Sequence, residues 1–165
     1  MKSKLLILLL LLMAACTTNK PMTEEQKAAV LDEASTVVKE YFDAIATSNS
    51  EKVASLIEKS DDYLLIVMGE LLDYETSVAM MEANLPYVEK QTFETKFEKY
   101  TVIDPTCFIY NWHGRNGIYM SSGETAMLED YLITCVFRKH ADGWKYFMGH
   151  ESEKAPMPVE LVEVQ

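Results

Sequence analysis

Apolar residues recur first at helical spacing and later at every second position. Val30, Ala34, Val37, Val38, Tyr41, Phe42 and Ile45 make one face of a helix, with Asp32, Glu33, Lys39 and Glu40 on much of the other. Thr23-Glu24-Glu25-Gln26 predicts a capping box at its start, Thr23 accepting from the third helical amide and Gln26 reaching back. Ser48-Asn49-Ser50-Glu51 has the same form and opens a short helix with Val53, Leu56 and Ile57 on one face. Tyr63 to Met68 is a short apolar run between Asp62 and Gly69, the length of a strand. Asp73 or Thr76 caps a third helix carrying Val78, Met81 and Leu85, which Pro86 kinks or ends.

From Thr92 the period becomes two. Phe93, Thr95 and Phe97 alternate with Glu94, Lys96 and Glu98, as a strand with one wet face requires. Cys107 to His113, Thr125 to Lys139 and Trp144 to His150 read as three more strands. Asp142-Gly143 between the last two predicts a type I′ hairpin. Helices followed by long antiparallel strands make one α+β domain over residues 23–152, and residues 153–165, with two prolines, form a loose tail.

The N-terminus carries a different pattern. Lys2 and Lys4 precede an apolar core, Leu5 to Leu12, too short for a membrane span and of the length of a secretory signal. Met13-Ala14-Ala15-Cys16 then resembles the lipobox of bacterial lipoproteins. That resemblance implies cleavage after residue 15, a lipid on Cys16 that holds the protein to a membrane, and a short tether over 16–22. Thr17, where an Asp would signal inner-membrane retention, implies the outer membrane of the cell envelope, facing the periplasm.

Charge sharpens this picture. The 15 basic and 26 acidic residues of the whole chain give −11, and removing Lys2 and Lys4 with the signal leaves 13 against 26, or −13. So acidic a domain lacks the cationic face that nucleic acid requires, and it stands off an anionic bilayer instead of lying on it.

Tyr41-Phe42-Asp43-Ala44-Ile45 in the first helix and Ser50-Glu51-Lys52-Val53 in the second, with Asp142-Gly143-Trp144-Lys145 and His150-Glu151-Ser152 at the end, resemble the SnoaL-like branch of the nuclear transport factor 2-like superfamily. The resemblance runs from about Glu25 to Ser152. It implies a strongly curved antiparallel sheet wrapped as a cone around the N-terminal helices, open at one end. Members include isomerases, dehydratases and cyclases as well as binding and dimerising modules, so it implies a fold and leaves the function open.

Chemistry in such a cone would come from polar side chains projecting into an apolar pocket, where burial moves carboxylate and imidazole pKa values toward neutrality. With the turn after the Cys107 strand at Ser121-Ser122-Gly123, one sheet face holds Phe108, Tyr110, Trp112, Leu128, Asp130 and Leu132, and the other Ile109, Asn111, His113, Glu129, Tyr131 and Ile133. A turn or bulge at Asn116-Gly117 would slip this register and swap the faces. Asp130 among aromatics is then the candidate general base, against its alternative as an exposed acid. His150 is either a second acid or base or a residue closing the last strand, and His113 beside Gly114 is a loop-edge histidine. Tyr110, Trp112, Asp130 and His150 make up the candidate ligand-binding set. The same register sets Cys107 opposite Cys135, as a bridged pair or as two buried thiols.

No histidine pair has zinc spacing, no carboxylate cluster suggests calcium, no Gly-x-Ser-x-Gly occurs, and nothing calls for a cofactor. Three functions fit: a domain binding a small, mostly apolar molecule without catalysis, a cofactor-free isomerase, dehydratase or cyclase, and a module that forms a homodimer through its sheet. A carboxylate with a second titratable group about 3–5 Å away inside the cavity would favour the enzyme.

Overall fold

The computed structural model describes residues 21–154, so the expected signal, Cys16 and most of the expected tail lie outside the described residues. Helix α1 (Glu24–Ala46) starts at the expected capping box and buries Val30, Ala34, Val37, Val38, Tyr41 and Ala44 along one stripe. Helix α2 (Ser50–Leu56) begins one residue later than its predicted box: Asn49 accepts from the Lys52 amide, and Ser48, at φ 54°, donates to the Val88 carbonyl instead. Strands β1 (Leu64–Val67) and β2 (Glu70–Leu72) form a small hairpin. Asp73 caps helix α3 (Tyr74–Asn84), and Pro86 falls in the single 3₁₀ turn that ends it.

Four long strands follow: β3 (Val88–Asp104), β4 (Cys107–Met120), β5 (Thr125–His140) and β6 (Gly143–Glu153). The sheet order is β2-β1-β6-β5-β4-β3. It is antiparallel apart from one pair, because β1 runs parallel to β6. The β5–β6 hairpin is not type I′. That turn needs positive φ at two successive residues, whereas here only Gly143, at φ 120°, has it, as in a type I turn closed by a glycine bulge. Glu153 still belongs to β6, and the Lys154 amide donates to the Asp130 carbonyl, so residues 153 and 154 are not part of a loose tail.

Bulges decide which side chains face the helices. Thr95 and Phe97 of β3 oppose Gly114 and His113, so Lys96 is an extra residue. Across β4 at the same level, Glu129 and Asp130 of β5 together oppose Arg115. In β6, Phe147 is the extra residue between Tyr146 and Met148. Each extra residue inverts the alternation beyond it. Phe93 and Thr95 therefore face inward but Phe97 does not, being 54% exposed on the outer face. The inward set is Phe108, Tyr110 and Trp112 from β4 with Tyr131, Ile133, Cys135 and Phe137 from β5.

That set corrects the expected faces. Leu128 does share the core side with Trp112, but beyond the bulge Asp130 and Leu132 turn outward and Tyr131 and Ile133 turn inward. Cys107 pairs with Arg138 and Cys135 with Tyr110, so the two thiols are neither opposite nor on one face; both are free. The core around Cys135 is largely aromatic. The stacked Phe108–Phe137 pair, 4.9 Å between centroids, carries Trp144 edge-on at 4.9 Å.

Candidate functional site

Between α1, α3 and the concave side of the sheet lies a cavity of about 210 Å³. Tyr41, Phe42 and Ile45 of α1 form one wall, with Val53, Leu65 and Val67 beneath. Met80, Met81 and Leu85 close the α3 side, and Phe93, Ile118 and Ile133 come from the sheet. Its polar lining is short: Gln91, Asn116, Tyr131 and Glu151, besides the Tyr41 hydroxyl.

Two of these polar groups hold each other. The Tyr131 hydroxyl donates to a Glu151 carboxylate oxygen. Burial pushes the Glu151 carboxyl above its ordinary 4.5, while the Tyr131 bond and, more weakly, the neighbouring His150 pull it back. Burial also raises Tyr131, and the adjacent Glu151 charge raises it further, so Tyr131 keeps its proton. Asn116, only 2% exposed, spends its amide hydrogens on the Gln91 side-chain oxygen at 3.4 Å and the Thr92 carbonyl at 3.3 Å.

Beneath Glu151 lies a second polar layer. Tyr63, Tyr146 and Ser77 are buried, and none of their hydroxyls has a hydrogen-bond partner. Burial lifts Tyr63 to about 12, the nearby Ser77 hydroxyl opposing the shift. Cys135 shares this layer, and burial raises its thiol well above 9.0, so it is no ready nucleophile.

None of the four expected ligand-binding residues lines the cavity. Tyr110 is buried on the core face and donates to Glu98 at 3.0 Å, and Trp112 donates to Thr95 at 2.8 Å. Asp130 lies on the outer face between Lys96, at 2.8 Å, and His113, at 3.2 Å. Lys96 first and His113 second hold its carboxyl below the usual carboxylate value, the reverse of what a general base at neutral pH needs. His150 is exposed opposite Thr134. The reason is common to both: the bulges at Glu129-Asp130 and at Phe147 turn each residue outward and its neighbour, Tyr131 or Glu151, inward.

The sequence contained a trace of this register. Gly149 occupies the inward position before Glu151, and a Cβ there would come within 1.6 Å of the Tyr146 hydroxyl, so glycine marks where β6 passes over that ring. A glycine inside a strand signals a bulge or a close approach, and either reading puts the register of His150 and Glu151 in question. Among the described residues no cluster of His, Cys, Asp or Glu could hold a metal ion, and no helix is long and apolar enough to cross a membrane.

The arrangement of helices and sheet has relatives among solved structures. A nuclear transport factor 2-like superfamily protein from Salmonella enterica aligns at TM-score 0.69 and 14% identity, over 82% of this chain and 98% of its own. The fold is nuclear transport factor 2-like. A hexachlorocyclohexane dehydrochlorinase from Novosphingobium barchaimii aligns at 0.63 and 9% identity, over 85% of this chain and 97% of its own. A nuclear transport factor 2-like protein of unknown function from Shewanella oneidensis aligns at 0.59 and 16%, over 74% and 98%. At such identities the likeness is one of fold alone. No family model and no curated protein matches the sequence.

Proposed function

We propose that this protein is an envelope lipoprotein of the SnoaL-like branch, anchored through Cys16, whose cavity binds one small, mostly apolar molecule. The cavity carries the reading: its walls are apolar, and its few polar groups sit among them to orient a ligand. Its 210 Å³ is below the roughly 300–1,000 Å³ of drug-sized sites, which sets the ligand near the size of a substituted benzene. The test is calorimetric titration with benzyl alcohol against the protein and its Ile118→Phe variant, whose added ring occupies the cavity. Saturable binding lost in the variant supports the reading, and no binding to either protein rejects it. Replacing Cys16 by Ser tests the anchor, since the protein should leave the membrane fraction.

Two further readings each have an observation behind them. Tyr131 bonded to Glu151 is a carboxylate with a second titratable group at hydrogen-bond range inside the cavity, the pairing that proton-transfer chemistry of the isomerase or dehydratase kind requires. A dimerising module is favoured by the outer face, where Phe97 pairs across the sheet with His113, and His113 with Leu132, which is 45% exposed. Light scattering of the protein and its Leu132→Glu variant tests the latter, a monomer in both ruling the dimer out.

A further inference from the structure

Among the described residues Glu151 is the only formally charged side chain lining the cavity, and none of the lining residues is basic. Among the described residues no Lys, Arg or His forms an ion pair with it. Glu151 is partly buried, and a carboxylate drawn out of bulk water is ordinarily paired, because desolvating a lone charge is expensive. Here one carboxylate oxygen takes the Tyr131 hydroxyl, which leaves the other without a protein partner among the hydrogen bonds of the described residues. Four aromatic rings, Tyr41, Phe42, Phe93 and Tyr131, line the same space among aliphatic side chains, with Phe42 and Phe93 edge to face at 4.9 Å. Aromatic faces with a carboxylate at one end form the complement of an organic cation, which the ring quadrupoles and the charge attract together. The net charge of −11 adds a long-range field that concentrates cations and repels anions.

We propose that the cavity's ligand is a small organic amine, its ammonium paired with the Glu151 carboxylate and its apolar body held against these aromatic rings. This rests on the reading of the cavity as a ligand site and adds the ligand's charge. An ammonium at bonding distance stabilises the ionised carboxylate and supplies the partner that the fold omits. Size agrees: an engineered apolar cavity of about 150 Å³ accepts benzene, so 210 Å³ accepts a benzene ring with a one-carbon ammonium arm.

Calorimetric titration compares benzylammonium with benzyl alcohol, which share a ring and an arm and differ in charge, on the full protein and on Glu151→Gln and Ile118→Phe. The expected result is benzylammonium binding at least tenfold more tightly than the alcohol, the preference disappearing in Glu151→Gln and all cavity binding disappearing in Ile118→Phe. Equal or tighter binding of the alcohol overturns the cation while leaving the ligand cavity standing. Absence of binding by both probes overturns the cavity reading and this inference together. Benzylammonium binding that survives in Ile118→Phe places the amine on the acidic surface and overturns the inference. The wild-type and Ile118→Phe comparisons decide the matter even if Glu151→Gln does not fold.

Discussion

Gly149→Ala measures how rigidly the floor of the cavity is built. An alanine Cβ would sit 1.6 Å from the Tyr146 hydroxyl oxygen, 2.6 Å from the ring carbon that bears it and 3.0 Å from the Thr134 carbonyl oxygen. Ordinary contact starts near 3.4 Å, so either the ring or the strand must give way by about 1.8 Å. The ring has nowhere to go. Tyr146 is fully buried, with Tyr41, Phe137 and Tyr63 at centroid distances of 5.2, 5.7 and 5.9 Å. Overpacking of a closed core costs about 1–3 kcal/mol, and a conflict this large belongs at or above the top of that range. Loss of glycine's backbone freedom returns only about 0.5–1 kcal/mol. The net loss should be about 2 kcal/mol or more, a large share of the ~5–15 kcal/mol that holds a domain together. Urea unfolding monitored by tryptophan fluorescence reads it directly. The control is Tyr146→Phe, which deletes the hydroxyl that has no partner and should cost little or be stabilising. In that background Gly149→Ala should cost about 1 kcal/mol less, since the nearest conflicting atom is gone. A loss below about 0.5 kcal/mol in the wild-type background would refute the placement of Tyr146 beneath β6.

Other outcomes follow from the same geometry. Burial raises the Glu151 carboxyl, so its ionisation penalises folding; the penalty is absent below pH 4.5 and grows as pH rises toward the folded value. Glu151→Gln should therefore gain stability relative to wild type between pH 4.5 and that value and then level off, and a pH-independent difference in denaturation midpoints would contradict it. Asp130→Ala and His150→Ala should leave benzyl alcohol affinity unchanged, because neither residue lines the cavity; a tenfold loss in either would place the ligand elsewhere. In the native protein a thiol reagent should modify partly exposed Cys107 readily and buried Cys135 only on unfolding, and equal rates would be inconsistent with the opposite faces assigned to them. Thr23→Ala should cost about 1 kcal/mol by deleting the capping bond to Gln26, measured by thermal or urea unfolding.

Elements were legible in the sequence because they are specified locally. Period 3.6 over Val30 to Ile45, with a capping box ahead of it, places α1 to the residue at its start. Period two, the glycines of the turns and Pro86 account for the strands and the end of α3 in the same way. The acidic balance is likewise a property of the chain, read without a fold. Faces were another matter. Alternation carried from Trp144 and Tyr146 assigns His150 to the interior, and alternation carried from Leu128 assigns Asp130 there. One extra residue at Phe147, and one at Glu129-Asp130, reverses both assignments. Apart from a strand glycine such as Gly149, the local sequence does not mark which residue is the extra one, because the penalty for a bulge is recovered in contacts made elsewhere. Here those contacts are Lys96 bonding to the Glu129 carbonyl and Asp130, and β6 passing over the Tyr146 ring. The sequence by itself determined the helices, the strands other than β2, and their order along the chain. Only the tertiary structure, by choosing which strand takes the extra residue, decided that Glu151 and Tyr131, and not Asp130 and His150, meet inside the cavity.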